Sequence, residues 1–296
     1  MKPPPFHYDR PMDVDTAVRL LADLCAGGQH PKVLAGGQSL LPLLTMRLAA
    51  PTHLVDIGEI AGLADVRVDG SVVTVGAMVR HRGLERHPGA FVALPLLRQA
   101  LSHVAHATIR NRGTTVGSIC HADPSSEMPA VLSLLGGHLV ARSVRGTRRI
   151  AAADLYVGPL ETSLAPDELA TEVVFPLLAP RTGTAVAELA RRHGDYAMCG
   201  VVAAVSLDDE GGVESARCTY VSAGDSIAPI DLTEPVRGAT PAAAQWVQAG
   251  ELARSTVRTD ADIHASADYR SQLVAVLTEQ ALREAAGRAR GLQAAA

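Results

Sequence analysis

The stretch AGGQSLLPLLTMRL, residues 35–48, decides the fold. Its paired glycines at Gly36 and Gly37 let a backbone approach a ligand closely, and successive N–H groups in such a turn form a nest for an anion, with the Ser39 hydroxyl as a further donor. A diphosphate suits that chemistry. Residues 32–35 before the turn and 53–57 (HLVDI) after it read as strands, so the local order is strand, glycine turn, apolar segment, strand, the grammar of α/β nucleotide sites. The spacing is not G-x-G-x-x-G, so a Rossmann site is not supported.

Upstream, Ala17, Leu20, Leu21 and Leu24 fall at i, i+3, i+4 and i+7 behind Asp15 and Thr16, which predicts a helix stopped by Gly27 and Gly28. Downstream, residues 71–79 (SVVTVGAMV) read as a β-branched strand and residues 93–104 as a helix. Residues 106–124 (HATIRNRGTTVGSICHADP) hold no sustained period and read as a long ordered loop, a kind of segment that is usually functional. A short helix over 128–135 stops at Gly136 and Gly137, and strands follow at 138–143 and 169–175. The run PLLAP, residues 176–180, marks the expected boundary between a first domain (1–176) and a second (177–290). Within the second, strands at 201–207 and 217–222 flank a turn at 208–212, helices span 242–254 and 268–288, and the end GLQAAA is expected to fray.

The chain has 296 residues, 47% apolar, and a net charge of −4, enough for one large or two smaller domains with full cores. That charge gives no field to attract nucleic acid or an anionic membrane, and no run nears the ~18 unbroken apolar residues of a spanning helix. The start MKPPPFHYDRP lacks an apolar signal core, so a cytoplasmic protein is expected. The four cysteines, Cys25, Cys120, Cys199 and Cys218, contain no C-x-x-C pair, so neither a structural zinc site nor an iron–sulfur cluster is expected in this chain.

Within the long segment, Thr114, Thr115, Val116, Gly117 and Ser118 offer hydroxyls and backbone donors without a P-loop lysine. Arg110 and Arg112 stand upstream as charges able to screen a phosphate. Asp123 and Glu127 stand downstream as carboxylates able to accept ribose hydroxyls, although Asp-Pro also starts turns and a glutamate also suits a helix start. Cys120 and His121 lack the spacing of a metal site, and no G-x-S-x-G elbow signals a hydrolase triad.

Three ordered motifs, AGGQSLLPLLTMRL, IRNRGTTVGSICHADPSSEMPAVL (109–132) and ARRHGDYAMCG (190–200), resemble the flavoprotein (medium) subunit of carbon monoxide dehydrogenase and related xanthine dehydrogenase-type molybdenum hydroxylases. The resemblance runs over nearly the whole chain, to the helix HASADYRSQLVAVL (264–277). It implies an α+β fold: an FAD domain of the vanillyl-alcohol-oxidase (PCMH) type with two α+β subdomains, then a C-terminal domain of a three-stranded sheet and helices. It implies that Lys32, Val33, Leu34, Ala35, Gly36, Gly37, Gln38, Ser39 and Leu40 wrap the diphosphate of FAD, with Thr114, Thr115, Val116, Gly117 and Ser118 as the second diphosphate loop. Glu127 and Asp123 would hold the adenosine ribose. Leu169 and Ala170 would make a main-chain contact, and Val104 joins the cofactor contacts. Tyr196 would lie beside the isoalloxazine, near the basic pair Arg191 and Arg192, whose charge favours negative charge there. The family usually reads T-[IV]-G-G-S in the second loop and often Gln before IRNRG; here Val116 replaces the first glycine and Thr108 the glutamine.

The family assigns substrate oxidation to a large subunit with the molybdenum cofactor and electron relay to a small subunit with two [2Fe–2S] clusters. The flavin chain passes electrons to an acceptor. No catalytic acid or base and no metal ligand is therefore expected in this chain, and a heterotrimer, often paired, is expected as its assembly. Two alternatives share the fold. A free-standing flavin reductase, such as the one acting on UDP-N-acetylenolpyruvylglucosamine, needs a proton-donating Ser and a Glu with no matching motif here. A nucleotide-binding assembly protein would keep the fold without turnover.

Overall fold

The computed structural model describes residues 2–294, with side chains through residue 291. It separates into two compact units. The first comprises residues up to Ala90, Ala107–Ala122 and Gly137–Phe175; the second comprises Phe91–His106, Asp123–Gly136 and the chain from Pro176.

The first unit holds two sheets. One is parallel, with His53–Asp56 between His7–Asp9 and Pro31–Leu34. Its crossover helix Val14–Ala26 buries Ala17, Val18 and Leu21. Asp13, not Asp15, caps this helix, because its carboxylate accepts from Thr16 N at 2.7 Å and satisfies an orphan first-turn donor. The glycine turn leads into the helix Leu40–Thr45. The other sheet orders its strands Val66–Asp69, Val72–Gly76, Leu169–Pro176, His138–Ser143, Gly146–Ala151. The two outermost strands carry few buried residues, which is why no alternation announces them in the sequence.

The expectation of an ordered loop without regular structure over residues 106–124 is corrected: short helices form at Ala107–Arg110 and Thr115–His121. Thr114 caps the second, its Oγ1 accepting from Gly117 N at 3.1 Å, and Val116 and Ile119 bury one turn apart. A seven-residue helix with one buried turn is too short to show a period.

The second unit is built on an antiparallel sheet of Thr182–Ala190, Ala197–Leu207, Val213–Val221 and a two-residue fourth strand, Ile230–Asp231. Alanines and branched residues of its first three strands form one core with Trp246, Ala249, Ala253, Val274, Leu282 and Ala285 from the helices Trp246–Thr256 and Ala267–Ala294. The helices Pro95–Leu101 and Glu127–Leu135 also pack on this sheet: Gln99 meets Thr184 Oγ1 at 3.1 Å, and Thr219 Oγ1 donates to Ala130 O at 3.0 Å. Of the end expected to fray (residues 291–296), residues 291–294 are helical; the last two lie outside those described.

Candidate functional site

In the first unit, parallel pairing ends at Leu34 opposite Asp56, and the chain turns at once through residues 35–39. Gly37 has φ +73°, a conformation that costs an L side chain roughly 1–2 kcal/mol. Gly36 is needed for a different reason. A Cβ built there would lie 2.5 Å from Arg112 O, 2.8 Å from Gly113 Cα and 3.0 Å from Thr114 N. Two segments far apart in sequence thus meet backbone to backbone, and only hydrogen fits between them.

Among the described residues, the N–H groups of Gly36, Gly37, Gln38, Ser39 and Leu40 donate to no protein acceptor, nor does that of Val116. A cluster of bare amides in a turn is suited to an oxyanion, and a diphosphate supplies several such acceptors. The residues present therefore fit the diphosphate of FAD. Val116 keeps a negative φ and is 2% exposed, so the glycine usual in the family is not required by the backbone here.

Residues with no signal in the sequence hold the second segment. His81 N donates to Gly113 O at 2.9 Å, and the His81 ring lies 3.2 Å from Thr115 Oγ1. Burial, then the Arg110 charge, lowers the His81 pKa from its ordinary 6.5 to about 4, so the ring is neutral. Arg80 donates to Arg112 O. Arg110, expected as a charge able to screen a phosphate, is instead buried with its Nε 3.3 Å from Glu85 Oε2. Arg112 is exposed. Leu169 and Ala170 are placed by the five-stranded sheet, opposite Arg142 and Ala141 beside a register shift.

The second unit holds the remaining candidates. Val104 is half-buried after the helix Pro95–Leu101. Asp123 accepts from Ser125 N at 2.8 Å in a turn, and Glu127 opens the helix Glu127–Leu135. Both carboxylates face Tyr196: desolvation of the phenol first, then these charges and a hydrogen bond to Asp123, raise its pKa and keep it protonated. Tyr196 is otherwise 65% exposed. It ends the turn that joins Thr182–Ala190 to Ala197–Leu207, where Arg191 and Arg192 are also exposed. Among the described residues no group of three or more His, Cys, Asp or Glu could hold a metal, and no helix is long and apolar enough to cross a membrane.

The amide-lined glycine turn of the first unit has the chemistry of a diphosphate site, the mark of a nucleotide-binding class of protein. Residues 4–178 match the family described as the FAD binding domain in molybdopterin dehydrogenase, and residues 184–285 match the CO dehydrogenase flavoprotein C-terminal domain. The chain belongs to this family of molybdenum hydroxylase FAD subunits: its cofactor is FAD and it is an oxidoreductase subunit. It is 38% identical over 291 residues to the 6-hydroxypseudooxynicotine dehydrogenase complex subunit alpha of Paenarthrobacter nicotinovorans, covering 98% of this chain and 97% of that one. It is 33% identical to the carbon monoxide dehydrogenase medium chain of Afipia carboxidovorans, over 98% of this chain and 100% of that one. Among solved structures, quinoline 2-oxidoreductase from Pseudomonas putida 86 superposes with TM-score 0.90 at 33% identity, over 98% of this chain and 99% of that one. The carbon monoxide dehydrogenase of Hydrogenophaga pseudoflava that lacks the Mo-pyranopterin moiety gives 0.89 at 32%, over 97% and 99%.

Proposed function

We propose that this chain is the electron-passing subunit of its enzyme, taking electrons from the [2Fe–2S] clusters of a small subunit and delivering them to an external acceptor, while a large molybdenum-cofactor subunit oxidises the substrate. The observation that carries this reading is the row of unpartnered amides at residues 36–40, closed against Arg112–Thr114 by the absence of a side chain at Gly36. Bound FAD supplies the electron exchange that no side chain here can perform. The chain's residues bind and orient it. Residues 32–40 and 114–118 take the diphosphate through backbone amides and hydroxyls, and Leu169 and Ala170 add a main-chain contact. In the second unit, Asp123 and Glu127 accept ribose hydroxyls, and Val104, Arg191 and Tyr196 are assigned to the cofactor. The domains are drawn at 1–176 and 177–290. Four unpaired cysteines suit a reducing compartment, and the assembly is assigned to the cytoplasm as a heterotrimer or a pair of heterotrimers.

The test is isolation of the native protein. It should coelute with a large molybdenum subunit and a small iron–sulfur subunit, and acid should release free FAD into the supernatant. A monomer with complete substrate turnover would overturn the reading.

A further inference from the structure

Glu188, on the strand Thr182–Ala190, has a side chain only 6% exposed, and its Oε2 is buried with no hydrogen-bond partner. Gly200 stands opposite it in the ladder, and a Cβ there would lie 3.5 Å from Oε2, so the carboxyl rests over bare backbone. Buried carboxylates are normally paired, and an unpaired one is costly in its charged form. Elsewhere in this unit Tyr220 bonds Thr278 at 2.9 Å and Arg270 reaches Met198 O and Asp262; the Ser222 hydroxyl is also buried without a partner, but it carries no charge.

The groups facing Glu188 are few. His103, in the segment after the helix Pro95–Leu101, brings its Nδ1 to 3.9 Å from Oε2, just beyond hydrogen-bonding distance. His193, exposed in the turn that follows the strand, faces His103, and His106 lies against Gly194 of the same turn. Cys199, on the adjacent strand, is a neutral thiol that burial pushes up to about 12, and it is faced by Arg270 from the C-terminal helix. Burial pushes the Glu188 carboxyl up to about 7, and burial, then repulsion from His193, holds His103 below its ordinary value. A buried acid on the strand, three residues before Arg191, thus has a partly exposed imidazole between it and solvent.

We propose that Glu188 is a proton-uptake site, loaded from solvent through His103, whose protonation accompanies the gain of negative charge by the FAD this chain carries. The inference rests on the flavin reading above. One O–H bond forms at Glu188 and one bond to hydrogen breaks in the solvent donor, water or a buffer acid, which is left as its conjugate base; the N–H bond formed on a relaying imidazole is balanced by the one it gives up. The electrons come from an external reductant, dithionite in the test.

The full chain is first assayed for bound FAD; a chain that retains none overturns the flavin reading. Difference infrared spectroscopy of the chain stripped of flavin should show a protonated-carboxyl band that titrates near neutral pH and is missing in Glu188→Gln. Absence of such a band overturns the uptake site whatever the flavin does. With FAD bound, the midpoint potential should fall more steeply with pH around neutrality in the wild type than in Glu188→Gln. The difference should approach tenfold in the redox equilibrium per pH unit, about 30 mV for a two-electron couple. Equal slopes overturn the coupling. If Glu188→Gln does not fold, His103→Gln keeps the carboxyl and should slow loading of the band after a pH jump more than tenfold; an unchanged rate overturns the relay.

Discussion

The glycine turn of the first unit and the hairpin turn of the second are made of different materials. At residues 36–40 the donors are backbone amides, which do not titrate in the range where side chains do. At residues 188–196 the groups proposed to act are side chains: a buried acid, exposed arginines, and a tyrosine facing two carboxylates. A site made of backbone is insensitive to pH but breaks when a single methyl is added. A site made of side chains tolerates changes of shape but changes charge with pH.

The largest effect should come from Gly36→Ala. The new Cβ would sit 2.5 Å from a backbone oxygen, which no rotamer can relieve, so the two segments must separate. FAD affinity should fall at least a hundredfold, about 2.7 kcal/mol, in a titration of apoprotein. Retained affinity in a folded variant would show that the closure of the two segments is not what binds the diphosphate.

Acid and base should then split the two regions by sign. His81 has a folded pKa of about 4 against an ordinary 6.5, so its contribution is present above 6.5 and is lost as pH falls toward 4. Glu188 has a folded pKa of about 7 against 4.5, so its contribution is present below 4.5 and is lost as pH rises through 7. Each amounts to about 3 kcal/mol at most by linkage. Denaturant unfolding across this range should show His81→Gln flattening the acid loss and Glu188→Gln flattening the loss toward neutrality. Identical pH profiles in variant and wild type would refute the corresponding assignment.

Gly37→Val is a milder break of the same turn. The strain of φ +73° and contact with the Leu41 side chain at 3.1 Å should weaken FAD roughly tenfold or more while the fold survives. Unchanged flavin content in a folded variant would detach this residue from the cradle. Val116→Gly should matter least to the ligand. Its φ is already negative, so FAD affinity should change by less than about tenfold, or about 1.4 kcal/mol. Thermal stability should fall, because a buried side chain is lost from a helix. A much larger gain in affinity would mean that valine holds the native segment away from the diphosphate.

Much of this was legible in advance. The first helix, the strands at His53–Asp56 and His138–Ser143 and the stop at Gly136 follow from local pattern and glycine chemistry. The strand Thr182–Ala190 escaped because TGTAVAELA gives no clean alternation: its residues are buried on both faces near one end. The helix Thr115–His121 escaped because only two apolar residues, Val116 and Ile119, are buried in it, too few to show a period.

By itself, the sequence determined where the backbone is free of side chains, and therefore which turns can come close to an anion, since that property belongs to each residue alone. Tertiary structure decided what those turns meet. Gly36 is indispensable only because Arg112–Thr114, over seventy residues later in the chain, is folded against it. Arg110 reads in the sequence as an open charge, and the fold buries it with its Nε 3.3 Å from Glu85 Oε2. Glu188 is one acidic residue among 31 in the sequence, and nothing there distinguishes it. Its behaviour comes from burial over Gly200 and the nearness of His103, and desolvation is a property of the surrounding fold, not of the residue.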